Sequence, residues 1–597
     1  MKNKVNLKKV SDVVAEVLIE EKVSHVFAIS GGASLHLIHS LADNENIQYI
    51  CNHNEQACAM AADGYSRVSG KTGVAVTTSG PGATNLITGI CCSYYDSIPS
   101  LFITGQVSTM RMKGDTGVRQ IGFQETPIVD IAEEITKYAY TIVDPEEIKY
   151  QLQKALHIAK SGRPGPVLID IPDDLQRQLV DPLKLKNFQA PAAQELPNLK
   201  NSLQDIIDLI MNSKRPILIA GWGVHLSDTE AELLQFAESF NIPIALTWGA
   251  ADLIPFDHDL YVGTFGTHGN RHANFAVQNA DLIISLGSRL DTKSTGSPVN
   301  TFAREARKIM IDIDINELNK FKYFDLKFDQ LIHCDLRDFF KIFSKLEPTK
   351  DTSSNLEWLK QINKWKNQFT SFDDTKGIAT TQVNPYNFVE SISNNLKGNE
   401  QIFIDTGCSI AWFMQSLRVK DKVRVFHDFN NTAMGWALPA SIGGYYANLK
   451  HQSPIIAIVG DGSFMMTSYE LATVMHHNIP IKIFIMNNQG YSMIQQTQDQ
   501  WLDSNYHASS EEGGLSFPNY KKLASTYNIK YFELNSGKDF SLIDEIMNDD
   551  NPLICNVCID KDFRVTPQVK FGKPNEDMGP LLPRDMFKES MIIKPIS

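Results

Sequence analysis

"PIIAIVGDGSFMMTSYELATVMHHNIPIKIFIMNN", residues 454–488, reads as a buried strand, a glycine-flanked turn, a helix and a second buried strand. Its two apolar runs are rich in β-branched residues, the mark of parallel strands covered on both faces. Asp461 stands between Gly460 and Gly462 at the carboxyl end of the first run, where ligands of open α/β sheets lie. An earlier stretch, "GVAVTTSGPGATNLITGICCSYYDSIPSLFITGQ" (73–106), repeats the same order, with Ile98-Pro99 and Ile479-Pro480 at matching distances from the turns. The two units read as a diverged repeat, which suggests a cleft shared between them. Outward from them, "PILIAG", "DLIISLG" and "KIMIDID" alternate with helical patterns. The fold class is therefore α/β, with doubly wound parallel sheets.

Two connectors divide the chain: "KLKNFQAPAAQELPNLK" (184–200), and "EPTKDTSSN" (347–355) with "DDTKGIATTQVNP" (373–385). They leave three domains, 1–190, 195–345 and 380–575, and a tail over 576–597. A chain of 597 residues has material for about three cores. Its net charge of -13 argues against nucleic acid and anionic membranes as partners. The start, "MKNKVNLKKVSDVVAEVLIEEKV", is basic, but Asp12 and Glu16 interrupt any apolar core, so a first amphipathic helix is expected in place of a signal peptide. A cytoplasmic protein is expected. Eight cysteines are too few for a disulfide scaffold. In "CNVC" (555–558), Cys555 and Cys558 would point to opposite faces of a strand and read as packing.

A carboxylate aimed at the helix N-terminus after Gly460 would repel phosphate unless a cation stood between them. The following strand ends in "IMNNQGYS", offering Asn488 and backbone carbonyls such as that of Gly490, with Tyr491 beside them. Asp461, Asn488, a carbonyl and phosphate oxygens describe a Mg²⁺ site of hard oxygen ligands. Near the other end of the chain, "NHNEQACAMAADGYSR" (52–67) puts a lone acid, Glu55, before a run of small residues. Taken alone, such an acid reads as facing a helix dipole in solvent.

The pairing of "GDG" with "NN" resembles the thiamine diphosphate (ThDP) motif. Along nearly its whole length the chain is similar to the acetohydroxyacid (acetolactate) synthase large-subunit group. "NEQACAMAADGYSR", "TSGPGATN" (78–85), "TGQV" (104–107), "FQE" (123–125) and "GRPGPVLIDIP" (162–172) match family stretches in the family's order. The resemblance implies a pyrimidine-binding first domain, a central FAD-type domain and a diphosphate-binding third domain. It makes Glu55 the catalytic acid, hydrogen-bonded to the pyrimidine N1′ and favouring the tautomer whose nitrogen takes the C2 proton. The surrounding alanines would let the ring approach and keep water out. Gln124 would lie near the substrate. Ser79, Gly80, Pro81 and Asn85 would contact the cofactor, as would Gly407, Cys408, Ser409 and Ser463. Met434 of "NTAMGWALP" (431–439) would hold its V shape. In the central domain, "GTFGTHGNRHANFAVQNADLIISLGSRLD" (263–291) and "IDIDINELNK" (311–320) imply FAD contacts at His268, Arg289, Asp312 and Asp335, with Arg163, Gly221 and Gly223 joining them.

The departures concern phosphate and substrate. "TGCSIAW" (406–412) replaces the family's Gly-Gln-His-Gln. Thr497 of "MIQQT" stands where the family has a Trp, and Lys293 of "RLDTK" where it has an Arg, so the planar two-pronged grip on a carboxylate is lost. "AISGGA" (28–33) replaces "GYPGGA", and the tail from Arg564 resembles ThDP enzymes of sugar or polyol pathways. The reading is a ThDP-, Mg²⁺- and FAD-binding carboligase that decarboxylates pyruvate, or a similar 2-keto acid, and passes the two-carbon unit to a carbonyl acceptor. One alternative acceptor is a ketosugar, free or nucleotide-linked; a second alternative is a plain decarboxylase or oxidase. A homodimer or homotetramer with ThDP at the subunit boundary is implied.

Overall fold

Every apolar run singled out above is a strand of a parallel sheet in the computed structural model, which describes residues 7–191, 199–346, 353–375, 378 and 380–596. Three six-stranded sheets result. The first orders its strands as Gln48–Cys51, His25–Ala28, Gly73–Thr77, Ser100–Gln106, Val167–Pro172 and Tyr138–Thr141. The third orders Arg424–Phe426, Gln401–Ile404, Ile455–Gly460, Ile481–Asn487, Leu553–Cys558 and Lys530–Leu534. Numbered within each sheet, both read 2-1-3-4-6-5, so the repeat seen in the sequence is a repeat of topology. The middle sheet reads 3-2-1-4-5-6, the dinucleotide-binding order, with Pro216–Ala220 and Leu282–Leu286 at its centre.

The first and third domains meet through two helices, Glu55–Ser69 and Ala437–Ala447. A Cβ on Gly64 would lie 2.2 Å from the Ala440 carbonyl oxygen, and one on Gly443 only 1.9 Å from that of Ala61. The backbones therefore touch, with Ala61 against Gly443, while Ala59 faces Gly89 and Ala62 faces Gly73; Ala57, Ala59, Ala61 and Ala62 are all wholly buried. Within one chain, then, the space between the two like domains is filled by these helices. A buried ionic group locks the same seam. Arg67 pairs with Asp63 at 2.7 Å and Asp96 at 2.9 Å, and donates to the His427 carbonyl. Asp96 in turn accepts from Phe429 and Asn430 N–H.

The first helix spans Val10–Glu20 with Val10, Val13, Val14, Val17 and Leu18 inward, so its amphipathic reading matches; residues 1–6 lie outside the described residues. Of the two connectors, 192–198 and 347–352 lie outside them too, as do residues 376, 377 and 379. Between them, the helix Ser353–Gln368 packs Trp358, Ile362 and Trp365 into the middle domain. The tail joins that core as well: Phe587, Met591 and Ile593 are buried in it, and Glu576 pairs with Arg304 at 2.8 Å. Cys555 is buried and Cys558 half-buried on one strand, and all eight cysteines are free. Among the described residues, no helix is long and apolar enough to cross a membrane.

Candidate active site

The predicted site residues fall into two places. Asn54 caps the helix Glu55–Ser69 by accepting from Gln56 N–H at 2.8 Å, which puts Glu55 at its first turn. There Glu55 Oε2 accepts from Asn85 Nδ2 at 2.9 Å. After Gly73–Thr77 the chain turns through buried Ser79 and through Gly80 at φ 64°, and Pro81 opens a short helix. Gln124, itself at φ 64°, lies against Gly80, whose added Cβ would sit 3.1 Å from that of Gln124. The loop holding Gln124 is tied by Glu125, which accepts from Lys113, Ile121 and Gly122 N–H. Glu55, Asn85, Gly80, Pro81 and Gln124 thus share one patch, with Pro81, Asn85 and the neighbouring Phe123 exposed on the surface of the chain.

The second place is a cavity of about 990 Å³ at the carboxyl ends of the middle and third sheets. Gly407, Cys408, Ser409, Met434, Gly460, Asp461, Gly462, Ser463, Asn488, Gly490 and Tyr491 line one arm. Asp461 Oδ1 accepts from Gly462 N–H at 2.7 Å, and Oδ2 from Asn488 and Gly490 N–H at 3.1 Å each. Burial pushes this carboxyl up to about 7 although those N–H groups draw it down; a divalent cation would supply the missing countercharge. Among the described residues no three His, Cys, Asp or Glu side chains gather to hold a metal. A cation here would therefore lean on amide, carbonyl and phosphate oxygens, as Mg²⁺ does. Burial, opposed by Arg564, pushes the Cys408 thiol up to about 12, so it stays neutral. Gly407, at φ 88°, has nothing within 4 Å of where a Cβ would stand, and Gly460 has nothing nearer than 3.9 Å, which leaves room for an anion. Met434 is set by Asp405, which accepts from Gly435 and Ala437 N–H on either side of Trp436.

The other arm runs along Arg163, Gly223, His268, Arg289, Lys293, Asp312 and Asp335. Gly221 stays out of the lining: a Cβ there would lie 2.4 Å from the Gly287 carbonyl, so it serves a backbone crossing. Arg163 and Arg289 converge on Glu317, at 2.8 and 3.3 Å. Burial pushes the Asp312 carboxyl up to about 6, and burial with Lys293 nearby pushes His268 down to about 3. Burial also lowers the Lys293 ammonium, against Asp291. Asp335 is paired with Arg337 and caps the helix Leu336–Phe343. Three residues lining this same cavity keep a buried donor without a hydrogen-bond partner: Trp222 Nε1, Trp412 Nε1 and Asn488 Nδ2. Such a set suits ligands rich in acceptor oxygens. Thr497 does not reach it; the residue is exposed and its hydroxyl turns back to the Met493 carbonyl.

Neither Glu55, Ser79, Gly80, Pro81, Asn85 nor Gln124 lines the cavity. Sequence reasoning missed Asp405, Glu317 and Asn430, which bind the lining residues to one another. Asn430 donates to Asp96 and accepts from Arg289 at 2.6 Å, joining all three domains. Glu317 and Asn430 lie within or next to stretches already singled out, so proximity to a motif was the signal available.

A cradle of Asp461 and Asn488 at the strand ends of one sheet, with a dinucleotide-type sheet beside it, defines a thiamine diphosphate enzyme. Residues 8–132 match the "Thiamine pyrophosphate enzyme, N-terminal TPP binding domain", 203–340 its "central domain" and 405–557 its "C-terminal TPP binding domain". The chain is 33% identical to the acetolactate synthase large subunit of Lactococcus lactis over 572 residues, covering 95% of each. It is 32% identical to that of Porphyra purpurea, over 94% of this chain and 93% of the relative. A chloroplastic acetolactate synthase of Nicotiana tabacum is 32% identical over 96% of this chain and 85% of its own. The chain belongs to the thiamine pyrophosphate enzymes, in the acetolactate synthase-like group.

Proposed function

We propose that this protein is a cytosolic ThDP-dependent carboligase that decarboxylates pyruvate, or a similar 2-keto acid, and passes the two-carbon unit to a carbonyl acceptor. The observation that carries the reading is the division of the site: a cation-seeking Asp461 with Asn488 in the cavity, and Glu55 with Asn85 on an exposed patch. Bound ThDP supplies the electron sink that decarboxylation requires. Asp461, Asn488 and the Gly490 carbonyl would hold Mg²⁺, while Gly407, Ser409 and Ser463 would face the diphosphate. Glu55 would hold a proton at the pyrimidine ring, and Met434 would press under the cofactor. Because Glu55 opens to the surface, a second copy of the chain is proposed to bring its cavity against it, giving a homodimer or a dimer of dimers. The unpartnered Trp222 donor and the 3-2-1-4-5-6 sheet support FAD in the other arm, held by Arg163, Gly223, His268, Arg289, Asp312 and Asp335.

Pyruvate as acceptor makes acetolactate the expected product. The ketosugar reading draws on the exposure of Thr497, which gives the cavity no aromatic wall at that position, and on Lys293 at its rim. Purified protein with ThDP, Mg²⁺ and ¹³C-labelled pyruvate alone separates them by NMR. Rapid acetolactate establishes pyruvate as acceptor; acetaldehyde or a trace of product sends the search to sugars.

A further inference from the structure

The helix that opens on Asp461 runs through the turn Ser468–Glu470 into Leu471–His477. Glu470 is fully buried, and its carboxylate accepts three hydrogen bonds. Two come from the first domain: His53 N–H at 2.8 Å and Asn52 Nδ2 at 2.9 Å. The third comes from Thr473 Oγ at 2.7 Å, a hydroxyl that also lies 3.4 Å from the Cys51 carbonyl. Residues 51–54 are the lead-in to the helix Glu55–Ser69, whose cap is Asn54. The burial of Glu470 is offset by these three hydrogen bonds, with the nearby His53 adding to them. An apolar residue could have filled the space at lower desolvation cost.

We propose that Glu470 is a positioning residue for Glu55: by gripping His53 and Asn52 it fixes where the Glu55 helix begins, and so where the Glu55 carboxylate is held. The proposal rests on Glu55 being the acid that contacts ThDP. It assigns Glu470 no contact with cofactor or substrate.

The test measures deuterium exchange at C2 of ThDP bound to the full-length protein with Mg²⁺, beside the ThDP affinity from fluorescence titration. Glu470→Ala is expected to slow exchange roughly tenfold or more, with ThDP affinity held within about threefold, since a misplacement of about 1 Å is enough for such a loss. Glu470→Gln is expected to recover most of the rate. Asn52 Oδ1 is buried without a partner, and a turned Asn52 amide can accept from the new Nε2. Should Glu470→Ala not fold, Glu470→Asp keeps the charge but shortens the reach to His53, and it should slow exchange in the same direction. Wild-type exchange in a folded, cofactor-loaded Ala or Asp variant overturns the positioning role. Glu55→Gln runs alongside: normal exchange there overturns the reading of Glu55 and the inference with it, whereas slow exchange in Glu55→Gln with normal exchange in Glu470→Ala overturns the inference alone.

Discussion

At the carboxyl edge of the first sheet, Gly73–Thr77 gives way to Ser79, Gly80 and Pro81; at the same place in the third sheet, Ile455–Gly460 gives way to Asp461. The two sheets share strand order and central strands, and each is followed by a helix, yet one edge opens at the surface beside Glu55 while the other lines a deep cavity. Topology has placed both ligand-facing edges. The residue after the strand sets the two apart: a carboxylate ringed by N–H groups at one edge, which under the proposed function would draw a cation, and an uncharged glycine-proline turn beside Glu55 at the other.

The strongest way to break this comparison is to remove one acid at a time. Glu55→Gln and Asp461→Asn should each lower turnover by about 10²–10³-fold, the scale of losing one preorganised charge contact. Only Asp461→Asn should also abolish Mg²⁺-dependent ThDP binding in a titration; equal loss of binding in both would mean that the halves are not divided as described. Next in size is a mixing experiment. If the two halves come from different copies, equilibrating the two inactive variants restores about a quarter of the sites, because half the dimers are mixed and each holds one intact site. A mixture that stays silent would place both halves in one chain.

Two further tests compare the seams. Arg67→Met leaves Asp63 and Asp96 buried without their cation, and should cost about 3–5 kcal/mol, read as a fall in thermal midpoint. A midpoint within error of wild type would show that the first-to-third seam rests on helix packing alone. The seam between middle and third domains depends on pH instead. His225 lies between Glu230 at 2.7 Å and Asp252 at 2.8 Å, and Asp252 is also held by Arg424. Burial disfavours the His225 charge, but Asp252 outweighs it and raises the imidazole above its usual range; against burial, His225 and Arg424 hold the Asp252 carboxyl well below the usual carboxylate range. A raised histidine stabilises below its unfolded pKa and loses that contribution as pH climbs through the folded one. The depressed acid contributes above its unfolded pKa and fails only as pH falls. The midpoint difference between wild type and His225→Gln should therefore be largest near about pH 6 and shrink toward about pH 9. A difference that grows with pH would reverse the assignment.

The parts legible in the sequence share a cause. Asp461, Asn488 and Glu55 stand at strand or helix ends marked by Gly, Asn or a sudden change of polarity, and such punctuation is local. The cofactor family needed the whole set in order. What stayed hidden depends on partners far apart in the chain: Asp96 with Asn430, His225 with Arg424, Glu470 with His53. No periodicity records such meetings. Nor does the run of alanines in the Glu55 helix say what each will touch: Ala61 meets Gly443, Ala59 meets Gly89 and Ala62 meets Gly73.

Phe587, Met591 and Ile593 sit in the middle domain among Phe275, Trp358 and Trp365, with Phe275 and Phe587 ring centroids 6.3 Å apart. During synthesis the strands of that domain leave the ribosome before the whole of the third domain. Its apolar face must then wait, open, for residues that come after Met578. Domains generally fold in the order they emerge; here the second to emerge is the last to be completed, and a nascent chain stalled inside the third domain would expose aromatic surface that a chaperone could hold.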